Sequence, residues 1–152
     1  MEMDEADRRI LRAIQAQPEL TIRELGDLVG LSHSPCWRRL ERLREKGVIG
    51  ERRYVVDHQA VGYEVFALCF VKASEHSREK LKELEDAVQT VPEILRCYSL
   101  SGEHDYIMEV LARNIREYEE TVKNKILELP NILSLSTSFA LKHVKENSNI
   151  PV

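Results

Sequence analysis

No run in these 152 residues is apolar enough to span a membrane, which takes about 20 such residues. The opening MEMDEADRR is acidic, unlike the basic start of a secretion signal, and so points to a cytoplasmic protein. Cysteine is scarce: Cys36, Cys69 and Cys97 are odd in number, widely spaced and each set in an apolar pattern. That usage fits small core residues and argues against a disulfide framework or a metal site. The six glycines never form a phosphate-cradling loop, and no nucleophile–base pair or metal-ligand spacing stands out. Neither a cofactor nor a metal is expected, and little supports an enzyme.

What is present is charge, unevenly placed. The net charge of −4 comes from the second part of the chain: residues 1–60 hold 11 Lys/Arg and 11 Asp/Glu, whereas residues 61–152 hold 11 and 15. Within the first part, residues 32–53 carry seven cations and three anions. A local basic surface beside an acidic unit suits a protein that reads nucleic acid without binding it indiscriminately.

The chain is organised around LSHSPCWRRLERLREKG, residues 31–47. Ser32 is placed to cap a helix, and Pro35 lies in its first turn, where a missing N–H costs little. Cys36, Leu40 and Leu43 recur at helical spacing and point inward, and Gly47 stops the helix. Upstream, TIRELGDLVG (21–30) predicts a shorter helix with Thr21 and Glu24 at capping-box spacing, an apolar side of Ile22, Leu25 and Leu28, and Gly30 at its end. Helix, short turn and basic helix make a helix-turn-helix, whose second helix enters the major groove of double-stranded DNA.

A first helix is expected over 4–17, with Asp4 as cap, Asp7 behind it, and a buried stripe of Ala6, Ile10, Leu11 and Ile14. The three helices enclose Ile10, Ile14, Leu25, Leu28, Cys36, Leu40 and Leu43, a core small enough to need a neighbour. Val48 to Val56 reads as a wing or linker strand. Its Arg52 and Arg53 suit phosphate contact and edge protection equally.

Three units follow: a DNA-binding domain over 1–50, a hinge over 51–62, and a second domain over 63–152. The second domain predicts strands at 63–73, 94–100, 105–113 and about 132–144, with helices at 78–90 and 115–128. The second helix has Asn114 and Glu117 as its cap pair, burying Ile115, Tyr118, Val122 and Ile126. This βαββαβ order is ferredoxin-like, and the whole chain is of the α+β class. The first strand is apolar on both faces, Val65, Ala67, Cys69 and Val71 on one and Phe66, Leu68 and Phe70 on the other. Two helices cover one face only, so a homodimer built sheet on sheet is expected.

DEADRRIL (4–11), ELGDLVGLSHSPCWRRLERLREKGVI (24–49), VDHQAVGY (56–63), CYSLSGEHDYIMEV (97–110) and LPNILSLSTSFALKHVK (129–145) together resemble the Lrp/AsnC (feast/famine) transcriptional regulators. That resemblance implies a winged helix-turn-helix joined by a hinge strand to a ferredoxin-like effector domain. It also implies dimers assembling into octamers or similar rings, and an amino acid effector bound at subunit interfaces near the SGxxDY turn.

The reading is a sequence-specific, DNA-binding transcriptional regulator controlled by a small molecule, an amino acid by resemblance. Ser32, Ser34, Trp37, Arg38, Arg39 and Arg42 form the DNA-contacting set, with Arg39 paired to guanine and Arg42 on phosphate. The effector set is Ser101, Gly102, Glu103, His104, Asp105 and Tyr106. Ser101 offers a hydroxyl, Gly102 close backbone approach, and Glu103 and Asp105 carboxylates for an ammonium. A plain β-turn, with Gly102 at positive φ and Asp105 bonded to its own backbone, stands beside that reading. The resemblance adds Thr137 and Ser138 of the last strand, and His104 has no assigned role.

Two alternatives remain. One is an architectural, nucleoid-type DNA-binding protein. The other is a tetrapyrrole decarboxylase, an activity some Lrp-like proteins have, against which the candidates His58, His104, His143 and Arg96 are dispersed in sequence.

Overall fold

A computed structural model describes residues 3–145 and 148–152. The chain forms two compact units, one of residues 1–54 together with 145–152, the other of residues 55–144. Among the described residues, Lys145 and 148–152 group with the first unit. Ile150 exchanges hydrogen bonds with the Gln15 amide, its N–H donating to Oε1 at 2.6 Å and its carbonyl accepting from Nε2 at 3.2 Å.

The first unit contains α1 (Glu5–Ala16), α2 (Ile22–Val29) and α3 (His33–Glu45). Both expected capping boxes are present: Asp4 with Asp7, and Thr21 with Glu24. Gly30 (φ 72°) and Gly47 (φ 69°) adopt the left-handed conformation where α2 and α3 end, which a residue with a Cβ adopts only at a cost.

Ile10, Leu11, Leu25, Val29, Cys36, Leu40 and Leu43 fill the core. Leu28 is 57 % exposed instead of buried, and Val29 takes the inward place. Gly26 is the reason: a Cβ there would stand 2.7 Å from the Leu31 carbonyl oxygen and 3.8 Å from the Cys36 Cβ. That close approach turns the buried stripe of α2 through residues 25, 26 and 29. The expected strand after α3 is absent, for residues 51–57 join no sheet among the described residues, and Tyr54 is 98 % exposed. A strand's backbone groups need a neighbouring strand, and this segment has none in the single chain.

The second unit comprises β1 (Val65–Ala73), α4 (Arg78–Val88), β2 (Ile94–Ser99), β3 (Tyr106–Ala112), α5 (Ile115–Thr121) and β4 (Ile132–Phe139). The sheet is antiparallel in the order β2-β3-β1-β4, the ferredoxin-like arrangement. Its helix-facing side carries Ala67, Cys69, Val71, Met108 and Val110, packed against Leu84 and Val88 of α4 and Tyr118 and Ile126.

The second helix departs from expectation. After Thr121 it widens into a π-helical turn, Val122–Ile126, so Thr121 becomes buried beside Tyr118 while Ile115 is half exposed. Among the described residues, no helix of this unit covers the sheet's other side. There Leu68 sits opposite Glu109 of β3 and Ser138 of β4, and Phe70 opposite Ile107 and Ser136.

Candidate DNA interface and effector turn

In α3 the buried seam of Cys36, Leu40 and Leu43 turns Ser34, Trp37 and Arg38 outward, and all three are exposed. Ser32 holds the N-cap position with extended backbone angles, but its hydroxyl makes no capping bond. It stays on the exposed leading edge of the helix beside Ser34. These side chains present a hydroxyl pair, an indole and a guanidinium, the donors and apolar surface that base edges accept.

Arg39 and Arg42 lie differently from expectation. Arg39 Nη1 donates to Asp4 Oδ2 at 2.7 Å and to Asp7 Oδ1 at 2.9 Å, while Arg42 Nη2 donates to Asp7 Oδ2 at 2.6 Å. The Asp7 side chain is 1 % exposed and that of Asp4 is 54 % exposed. A buried carboxylate without its cations would cost several kcal/mol, about 3–5 by analogy with other broken buried pairs. Asp4 is held below the usual carboxylate range, first by the Asp7 N–H and then by Arg39; Arg39 is raised in turn by Asp4 and Asp7.

Arg44 also pairs with Glu41 along the helix. The cationic count of α3 thus overstates its free charge. Pro35, Arg38, Arg39 and Arg42 border an open notch of about 340 Å³ on this flank. Asp4 and Asp7 were legible in sequence as a helix cap; their grip on α3, 32 to 35 residues away, was not.

In the second unit, Ser101 to Asp105 join β2 to β3. Gly102 has φ 150° and open space where a Cβ would stand, so the backbone angle and not a lack of room favours glycine. Asp105 bonds a neighbouring strand instead of its own backbone: Oδ2 accepts from the Ala73 N–H at 2.7 Å, and Oδ1 lies 2.9 Å from His76 Nε2. The Ala73 N–H foremost, then His76, holds this carboxyl below its usual range.

Glu103 pairs with Lys72 at 3.5 Å, and the His104 ring lies 5.3 Å from that of Phe70. Tyr106 points away from the turn, 3 % exposed, donating its hydroxyl to Glu85 Oε1 at 2.8 Å. Thr137 and Ser138 face opposite sides of the sheet. Thr137 Oγ1 is 2.5 Å from the Tyr118 hydroxyl, itself 3.1 Å from Cys69 Sγ, whereas Ser138 lies exposed on the open side beside Leu68. The structure thus brings together Ser101 to Asp105, and leaves Tyr106 and Thr137 beneath the helices.

The histidines are less scattered than in sequence. His58 and His143 come within 5.7 Å, ring to ring, and both flank Phe66. Arg96 is apart, paired with Glu109. Among the described residues no group of three or more metal-ligating side chains forms, and no helix is long and apolar enough to cross a membrane.

A helix-turn-helix with an outward polar face, followed by a ferredoxin-like unit with a glycine turn, defines a ligand-responsive DNA-binding regulator. Residues 66–150 match the Lrp/AsnC ligand binding domain, and residues 3–49 match a winged helix-turn-helix DNA-binding domain. The chain belongs to the Lrp/AsnC family of transcriptional regulators.

It is similar, at 33 % identity over 95 % of its length and 93 % of the relative's, to the proline dehydrogenase transcriptional activator of Rhizobium radiobacter. Among solved structures, an AsnC family transcriptional regulator from Agrobacterium tumefaciens superposes with TM-score 0.91 at 34 % identity, over 98 % of this chain and 97 % of that one. A transcriptional regulator from Neisseria meningitidis in complex with L-Met superposes with TM-score 0.92 at 27 % identity, over 99 % and 97 % of the two chains. Relatives named as regulators and activators favour transcriptional control over the architectural reading.

Proposed function

We propose that this regulator reads its operator with the outward side of α3 and is controlled by a free amino acid bound at the turn from Ser101 to Asp105. Ser34, Trp37 and Arg38 contact base edges. Ser32, Arg39 and Arg42 lie along the adjoining phosphates, a revision for Arg39, whose Nη1 is committed to two carboxylates. The observation that carries the DNA reading is the inward seam of Cys36, Leu40 and Leu43, which leaves that polar side of α3 exposed.

At the turn, the Gly102 backbone and the Ser101 hydroxyl receive the ligand's carboxylate and Glu103 attracts its ammonium, with His104 and Ser138 bordering the open side of the sheet. Asp105 shapes the turn from behind, and Tyr106 and Thr137 act through packing. The amino acid complex of the Neisseria relative makes methionine the first ligand to try. The assembly is a homodimer formed over the helix-free side of the sheet, joining further into a ring such as an octamer. Three large side chains there, Phe66, Leu68 and Phe70, are only partly buried in the single chain, and each would gain part of the about 1.5–3 kcal/mol that full burial gives.

The test is calorimetry with the proteinogenic amino acids on the wild type and on Gly102→Asp. One or more amino acids should bind the wild type, and the variant should lose that binding while still folding and still binding DNA. Undiminished affinity in the folded variant moves the effector elsewhere.

A further inference from the structure

We propose that Asp4 and Asp7 stand in for DNA phosphate in the free protein, occupying Arg39 and Arg42 so that α3 binds DNA weakly unless the sequence is right. The proposal rests on the reading of α3 as the DNA-contacting helix and adds a specificity device to it. Two guanidiniums on one flank of a recognition helix would ordinarily add strong, sequence-independent attraction to any duplex. Here each is met by carboxylate oxygens at 2.6–2.9 Å, the distances of a charge-assisted bond to phosphate. The four charges cancel in place.

The two carboxylates differ in a way that gives them separate tasks. Asp7 is buried and bridges Arg39 and Arg42 with its two oxygens, so it fixes where both guanidiniums sit. Asp4 is exposed: its Oδ1 caps α1, and its Oδ2 pairs with Arg39, which with Pro35, Arg38 and Arg42 borders the notch. A backbone phosphate entering that notch competes with Asp4 for Arg39. It has to outbid a carboxylate already in place, so the contact forms only when base contacts by Ser34, Trp37 and Arg38 hold the duplex in register. Asp7 is a positioning residue and Asp4 a specificity-determining one.

The test uses a duplex selected by the wild-type protein from a randomised pool, compared with random duplex over a range of salt. Asp4→Asn removes one exposed carboxylate. It should raise affinity for random duplex by about tenfold at low salt and steepen the salt dependence by up to about one unit, the share of a single added phosphate contact. Affinity for the selected duplex should rise less, so the ratio between them falls. In an Arg39→Gln background, Asp4→Asn should do almost nothing, which separates release of Arg39 from a general gain of positive charge.

Asp7→Asn should lower the ratio as well, with a lower melting temperature. If it fails to fold, the Asp4 and Arg39 cycle decides alone. Random-duplex affinity unchanged by Asp4→Asn, or raised equally in the Arg39→Gln background, overturns the proposal. A wild type that selects no duplex at all overturns the DNA reading of α3 itself.

Discussion

Asp105 and Ala73 are joined by a 2.7 Å hydrogen bond from the Ala73 N–H to the Asp105 carboxylate, which fastens the turn between β2 and β3 to the end of β1. Asp105→Ala leaves that N–H without its acceptor, at an expected cost of about 1–3 kcal/mol. Chemical denaturation followed by circular dichroism reads it. Because the folded carboxyl is held below its ordinary value, its contribution is present above the unfolded pKa and is lost as pH falls through the folded one. The difference between wild type and Asp105→Ala should therefore be full near neutrality and shrink below about pH 4. A difference that stays constant into acid would remove the carboxylate from the account.

Gly26→Ala should destabilise the DNA-binding unit by about 1–3 kcal/mol, the usual cost of forcing a methyl into a filled space. The new Cβ would meet the Leu31 carbonyl oxygen at 2.7 Å, and that atom is backbone, with little room to yield. The displaced turn carries the start of α3, so affinity for the selected duplex should fall too. Thermal unfolding and a binding titration check both effects.

Leu68→Asp tests the proposed dimer. It places a charge at the middle of the helix-free side of the sheet, beside Glu109, where a like charge adds repulsion to the cost of desolvation. Sedimentation velocity should show a monomer. A particle of wild-type mass would move the interface off this side.

The three thiols should be slow to alkylate in the folded protein at pH 8 and fast once it is unfolded. Burial raises Cys36 and Cys69, and burial followed by the nearby Glu85 carboxylate pushes Cys97 up to about 11. The thiolate is the reactive form. Mass spectrometry after a timed iodoacetamide pulse gives the answer, and rapid labelling of Cys97 in the native state would contradict it.

Much of this was legible in the chain because it is local. Asp4 with Asp7 and Thr21 with Glu24 announce helix starts across three residues, and each makes the capping box its spacing requires. The seam of Cys36, Leu40 and Leu43 follows from 3.6 residues per turn, and the two-sided β1 from a period of two. The βαββαβ order needs only the succession of those periods.

What the tertiary structure decided depends on groups far apart in sequence. Whether Leu28 or Val29 is buried turned on how closely Leu31 and Cys36 approach Gly26. Alternation along β3 puts Tyr106 on the inner face with Met108 and Val110, but that its hydroxyl meets Glu85 of α4 was fixed only by the fold. His58 met His143 across 85 residues of chain. Arg39 and Arg42 read as free cations in a helical pattern, but a guanidinium goes to whichever carboxylate the fold brings within reach, and only packing of α1 against α3 brought Asp4 and Asp7 there. Short-range periodicity and capping write secondary structure into the chain; the partner of a long charged side chain is settled by distances that exist only after folding.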